Sequence, residues 1–194
     1  MRCWPARAPV FRRAPAAFLD RDGTLNRNRH GDYITRPGQL KLYACVPRAL
    51  KLLAQKGYRL IVVTNQSGIA RGYMTPAVSK AINLKLVRDL RREGVKLDGI
   101  YFCPHGPADK CACRKPEPGL LIEAAASRRI DMGRSFVAGD KASDLQLARR
   151  AGLKGYLVRT GGGRAVPPKD ARRAYRDLLS LALAVPDLNT KERP

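Results

Sequence analysis

Asp20 and Asp22 sit one residue apart, directly after the apolar run Ala16–Leu19, and Gly23-Thr24 then breaks the run. Residues two apart on a strand point to the same side. At the C-terminal end of a parallel strand both carboxylates would project into the crevice where open α/β sheets bind ligands. Carboxylates that close repel unless a cation neutralises them or one is protonated. Mg²⁺ suits that role, being a hard cation that takes oxygen ligands and keeps positions for water or phosphate oxygens. A carboxylate beside Mg²⁺ can also attack phosphorus and form an aspartyl-phosphate. An ordinary turn rich in Asp and Gly would show the same letters, so the meaning of the pair depends on what else reaches that crevice.

Other polar residues follow apolar runs in the same way. Thr64 and Asn65 end the run 58–63, where a hydroxyl and backbone amides can hold phosphoryl oxygens. Lys115 precedes Pro116 and can neutralise a phosphate as a point charge. Asp140 and Lys141 follow the run 136–138; Asp140 would complete a Mg²⁺ shell, and Asp144, four residues on, could orient it from the first turn of a helix. His30 and Tyr33 lie in the irregular stretch 25–45 and are candidates for substrate contact from a loop over the crevice. Cys103, His105, Cys111 and Cys113 supply three sulfurs and a nitrogen within eleven residues. Four such ligands saturate tetrahedral Zn²⁺ with no open position, which would make the ion structural. The spacing is not that of a standard finger and leaves a cluster of free thiols open as the alternative.

These residues need a scaffold that presents strand ends side by side. The spacing predicts strands at 16–20, 58–63, from 100, at 136–138 and 155–158. Helices are expected at 47–56, 76–93, 118–129, 143–151 and 171–184, with Gly161 to Gly163 and Pro167-Pro168 as a linker. Strands alternating with helices predict an α/β fold, a Rossmann-like parallel sheet with helices on both faces and right-handed crossovers. The organisation expected is a flexible basic arm over 1–15, one domain over 16–184 and a tail over 185–194.

The chain has 194 residues, enough for one domain with a real core. No apolar run approaches a membrane span, and no secretory signal is read at the N-terminus. The cysteine–histidine cluster suggests a reducing, cytoplasmic compartment. The formal net charge of +22 would attract polyanions. The basic residues are nevertheless dispersed, and neither an aromatic-rich basic platform nor a P-loop is present, which argues against nucleic acid as the substrate.

Taken in this order, each after a strand, Asp20-Arg21-Asp22-Gly23-Thr24, Thr64-Asn65, Lys115 and Gly139-Asp140 resemble the four motifs of the haloacid dehalogenase superfamily over residues 16–160. The resemblance implies a capless phosphatase. Asp20 would be the nucleophile and Asp22 the general acid and then base, with Thr64 and Lys115 holding the phosphoryl group. Mg²⁺ would sit on Asp20, the backbone carbonyl of Asp22, and Asp140. Gln66 to Gly72, the Cys103-Pro104-His105 loop and Cys113-Arg114-Lys115-Pro116 make the chain similar to the D-glycero-D-manno-heptose-1,7-bisphosphate 7-phosphatase family, as does Val158-Arg159-Thr160-Gly161. That likeness implies a monomer acting on a small sugar phosphate in nucleotide-activated heptose and lipopolysaccharide synthesis. It also implies a zinc-bound loop and roles for Arg114 and Lys141 in substrate contact. The short loop from His105 to Cys111 is similar to that of histidinol-phosphate phosphatase, the first alternative. A polynucleotide 3′-phosphatase is the second.

Overall fold

The computed structural model describes residues 13–28, 33–167 and 173–190. Six parallel strands form one sheet in the order β3-β2-β1-β4-β5-β6. They are β1 (Ala16–Leu19), β2 (Arg59–Asn65), β3 (Gly99–Cys103), β4 (Phe136–Gly139), β5 (Lys154–Val158) and β6 (Ala174–Tyr175). The helices are α1 (Val46–Gln55), α2 (Pro76–Arg92), α3 (Gly119–Arg128), α4 (Ala142–Arg150) and α5 (Leu178–Ala184). Among the described residues no helix is long and apolar enough to cross a membrane.

The inner strands are apolar on both sides because helices cover both faces. Ala17, Leu19, Leu60, Val62, Phe136 and Ala138 face a core shared with α1, α2 and α5. Their neighbours Ala16, Phe18, Ile61, Val63 and Val137 face the opposite core, which α3 and α4 complete. The two-residue period of the strands thus splits each run between two cores. Local signals end the helices: Thr75 accepts from the Val78 amide at the start of α2, and Gly94, at φ +73°, follows its end.

The chain order reverses direction across β1. It runs outward through β2 and β3, then returns to place β4 on the other side of β1. The crevice at that switch point lies between the C-terminal ends of β1 and β4, where Asp20 and Asp140 emerge.

Three expectations are corrected. The last helix does not begin at 171: Ala174–Tyr175 adds a sixth strand, with Tyr175 in register with Val158. Asp177 then caps α5 through the Ser180 amide at 2.8 Å, which fixes its start at Leu178. Edge-to-face contact of Tyr175 with Tyr156, centroids 5.8 Å apart, rewards the extended pairing over a longer helix. Gly161–Arg164 is a tight helical turn packed beneath the crevice rather than a linker. Residues read as tail also pack, since Val185 is buried and Asn189 donates to Gln55 O. At the other end, Ala14 pairs with Ile130 and Pro15 O accepts from the Arg59 amide, whereas residues 1–12 of the basic arm lie outside the described residues.

Phe136 joins the layers on the α1 face. Its ring meets Tyr58 at 5.1 Å and Tyr156 at 5.3 Å, both edge to face. Replacing Phe136 with Ala should cost about 3–5 kcal/mol, since the cavity adds to the lost burial. Chemical denaturation measures it, and a loss below about 1 kcal/mol would show that the aromatic chain collapses around the gap.

Candidate active site

Asp20 leaves β1 with its amide bonded to Ala138 O at 2.9 Å, so β4 fixes the backbone that carries it. Lys115 reaches it from the segment before α3. Its ammonium donates to Asp20 Oδ1 at 2.6 Å and to Val63 O at 3.0 Å, and lies 2.7 Å from Asp144 Oδ1. Burial alone would favour a neutral amine, but Asp144 and Asp20 outweigh it and hold the Lys115 pKa above its usual value. The backbone of Lys115 is gripped too. Asn65 Oδ1 accepts from the Lys115 amide at 3.0 Å, and Asn65 Nδ2 donates to its carbonyl at 3.1 Å. Asn65, expected as a substrate contact, lines the cavity but spends its amide on positioning Lys115.

Asp20, Asp140 and Asp144 each bring a carboxylate oxygen within 4.8 Å of the others, and all three residues are buried. Burial and the Asp20 charge push the Asp140 carboxyl up to about 7. Its Oδ2 accepts from the Gly162 amide at 2.7 Å, while Oδ1 is buried with no hydrogen-bond partner. Three carboxylates against Lys115 and Lys141 leave one negative charge in excess. An oxygen-only donor set, an orphaned carboxylate oxygen and surplus negative charge fit a hard divalent cation.

Asp22 takes a separate path. Arg21, fully buried between the two aspartates, grips it from Nε to Oδ1 at 3.1 Å and from Nη2 to Oδ2 at 2.8 Å. Gln66 and Asn26 also donate to the carboxylate, at 2.9 and 3.1 Å. Burial raises the Asp22 pKa, but the Arg21 charge and these hydrogen bonds overcome it and leave it below the usual carboxylate value. Gln66 Nε2 also donates to Thr64 Oγ1 at 2.9 Å. That fills an acceptor position on Thr64 and leaves its hydroxyl proton free for another acceptor. The sequence reading missed Arg21 and its anchor Asn83, which accepts from Arg21 Nη1 at 2.8 Å from the middle of α2. No sequence signal marks one buried arginine in a chain with so many surface cations.

The cavity above these groups measures about 310 Å³. Asp20, Asp22 and Asp140 form its acidic floor, and Lys115, Lys141 and Arg114 bring cations to it. Thr64, Asn65 and Tyr33 are on its wall. Tyr33 Oη lies 3.4 Å from Ser67 Oγ, and its ring stacks edge to face on Tyr73 at 5.2 Å. Tyr73 had not been expected there. His30 lies outside the described residues.

Beside the cavity, Cys103, His105, Cys111 and Cys113 converge. His105 Nδ1 is 3.6 Å from the Cys103 sulfur and 3.3 Å from that of Cys113. Cys111 is 3.6 and 3.5 Å from the same two sulfurs. Burial pushes the Cys103 thiol up to about 12, whereas hydrogen bonds from Cys113 and Cys103 overcome burial at Cys111 and bring it down to about 7. Arg114 Nη1 donates to His105 O at 3.1 Å, so this cluster is tied to the residue that reaches the cavity.

The HAD-hyrolase-like family model matches residues 112–180. A curated relative from Haemophilus ducreyi, the D-glycero-beta-D-manno-heptose-1,7-bisphosphate 7-phosphatase, is 43% identical over 182 residues, covering 90% of this chain and 98% of the relative. The Salmonella typhi protein of the same name is 46% identical over 156 residues, 76% of this chain and 81% of its own. Among solved structures, the D,D-heptose 1,7-bisphosphate phosphatase from B. bronchiseptica, complexed with magnesium and phosphate, superposes with a TM-score of 0.79 at 36% identity. That match covers 87% of this chain and 96% of the other.

The Arg21 fork yields a stability prediction. Arg21→Met leaves a mostly buried Asp22 without its counter-ion, so it should destabilise the fold by about 3–5 kcal/mol. Urea denaturation reads this directly; an unchanged midpoint would mean the fork is neutral to folding.

Proposed function

The chain belongs to the D-glycero-D-manno-heptose-1,7-bisphosphate 7-phosphatase family, and we propose that its substrate is the β-anomer of that bisphosphate, hydrolysed at carbon 7 to leave heptose 1-phosphate. The reaction is a Mg²⁺-dependent phosphoric monoester hydrolysis, a step in nucleotide-activated heptose synthesis. The observation that carries this reading is identity of 40–46% to relatives named for that activity. The β-anomer follows the names of those relatives. We place the enzyme in the cytoplasm as a monomer, a reading that rests on the thiol-rich cluster and on the family likeness.

The residues divide the work as follows. Asp20 is the nucleophile, and its oxygen attacks phosphorus to form the aspartyl-phosphate. Asp20, Asp140 and the carbonyl of Asp22 would hold Mg²⁺, with Asp144 behind them. When bound, the ion draws charge from the phosphoryl oxygens and offsets the carboxylate excess. Lys115 and the Thr64 hydroxyl take up phosphoryl oxygens, while Arg114 and Lys141 contact the rest of the substrate. Asp22 serves both halves. The Arg21 grip keeps it ionised, which suits the base that activates water in the second half. In the first half the leaving alkoxide needs a proton, and an ionised Asp22 must receive it before passing it on. A phosphomonoester has its second pKa near about 6, so the substrate itself can bring that proton.

We read the second cluster as a structural Zn²⁺ site. Zn–S bonds of about 2.3 Å in a tetrahedron put sulfurs about 3.8 Å apart, and sulfur and nitrogen about 3.6 Å apart. The observed separations of 3.3–3.6 Å fit that frame with slight contraction. Through the Arg114–His105 bond, the ion would stabilise the segment that carries Arg114 and Lys115.

Phosphate release should be compared, with Mg²⁺ present, on both anomers of the heptose bisphosphate, histidinol phosphate and a 3′-phosphorylated oligonucleotide. The β-bisphosphate should win on kcat/KM by orders of magnitude, with Asp20→Asn inactive but folded. Preference for histidinol phosphate would overturn the substrate, and an active Asp20→Asn the nucleophile.

For the second cluster, Cys111→Ser should lower zinc content by elemental analysis and lower the Tm before it changes kcat. A metal-free protein of unchanged stability would refute the zinc site.

A further inference from the structure

Val158-Arg159-Thr160-Gly161 belongs to the family likeness, yet the reaction as derived above uses none of it. The structure brings this segment under Asp140. The Gly162 amide donates to Asp140 Oδ2 at 2.7 Å, whereas Asp140 Oδ1 is buried and unpaired. Room for that arrangement exists only because side chains are missing. A Cβ built on Gly161 would lie 2.4 Å from Asp140 Oδ2 and 2.5 Å from Gly23 Cα, and one built on Gly23 would lie 2.1 Å from the same oxygen. Both contacts are far inside van der Waals distance, and both glycines have positive φ, at +49° and +93°.

The turn is held from three sides. Thr160 Oγ1 donates to Gly23 O at 2.7 Å, stitching the turn to the segment after β1. The Gly161 amide donates to Tyr43 Oη at 3.1 Å. Arg159 Nη1 closes the far side on Gly163 O and Val166 O, at 3.0 and 2.8 Å. The Gly23 and Tyr43 bonds come from far off in sequence and the Arg159 bonds are local, and together they converge on one placement of the Gly162 N–H.

We propose that the Thr160-Gly161-Gly162 turn is a positioning element of the cation site, which occupies one oxygen of Asp140 and so presents the other as a single-oxygen ligand. A free carboxylate can rotate, or grip an ion with both oxygens. With Oδ2 bonded to the Gly162 amide, both motions cost Asp140 that hydrogen bond. Metal ligands are commonly oriented by partners of this kind, and loss of one typically weakens metal affinity about 10–100-fold. Here the partner is a backbone amide, so no side chain in the turn identifies it. Thr160 and Tyr43 act through the turn, and neither lines the cavity.

The inference rests on the reading of Asp20 and Asp140 as the Mg²⁺ site but is independent of the sugar. The test uses Mn²⁺ as the probe, with the full chain as purified and binding followed by water-proton relaxation. Wild type should bind Mn²⁺, and Asp140→Asn should lose it; an unaltered Asp140→Asn would overturn the cation site itself, and the inference with it. Thr160→Val keeps the shape of the side chain and removes only the stitch to Gly23. It should raise the Mn²⁺ dissociation constant several-fold or more at unchanged Tm, and added Mg²⁺ should restore its kcat. Gly161→Ala should weaken Mn²⁺ binding more strongly, with a lower Tm, since its Cβ would lie 2.4 Å from Asp140 Oδ2. A Thr160→Val protein with wild-type Mn²⁺ affinity and a lower Tm would reduce the turn to ordinary packing and overturn the proposal, even if Gly161→Ala fails to fold.

Discussion

Crowding of like charge is the constraint from which this structure follows. Asp20, Asp140 and Asp144 converge within 4.8 Å in a buried crevice, and such an arrangement is costly unless cations share it. Lys115 supplies one charge from inside, ion-paired to both Asp20 and Asp144. Lys115 and Lys141 do not balance three carboxylates, and burial together with the Asp20 charge raises the Asp140 carboxyl to about 7. A site in that state holds negative charge in surplus and is poised for a divalent ion. With the ion in place the balance turns positive, which is what a phosphate monoester needs.

Lys115 therefore has to be delivered accurately, and much of the surrounding structure does that. Asn65 pins its backbone from the end of β2. Arg114, its neighbour, is tied to His105 and thereby to the cysteine cluster. The loop from β3 to α3 is anchored through its cysteines, since Cys103 is part of the core under α3 and Cys111 and Cys113 pack against it. A defect there would reach the chemistry through the position of Lys115 before it altered any reacting group.

Much of this was legible in the sequence. The apolar runs 58–63 and 136–138, ended by Thr64 and by Gly139-Asp140, marked strands whose ends could hold ligands, and the spacing of Cys103, His105, Cys111 and Cys113 marked a cluster. Glycine was the weak point. A glycine run reads the same whether it frees a linker or admits close approach, and Gly161 to Gly163 proved to be the second kind. The Ala174–Tyr175 strand was invisible for another reason. Two residues carry no period, and their pairing is decided by β5 and the Tyr156 ring. Arg21 was hidden by composition. Its burial depends on Asn83 and Gln66, which lie 62 and 45 residues away.

That burial also bears on the net charge. At the site four acids, Asp20, Asp22, Asp140 and Asp144, meet four cations, Arg21, Arg114, Lys115 and Lys141, out of 16 acids and 38 lysines and arginines in the chain. The excess of +22 therefore lies almost wholly outside the reacting centre. Inside, charge is balanced group by group over a few ångströms, by pairs that solvent and salt screen little. Outside, charges act on anions only through solvent, an influence that salt weakens beyond about 8–10 Å. Arginines can accumulate on the surface without setting the shifts at Asp22, Asp140 and Lys115, because burial and the charged groups inside the crevice set them.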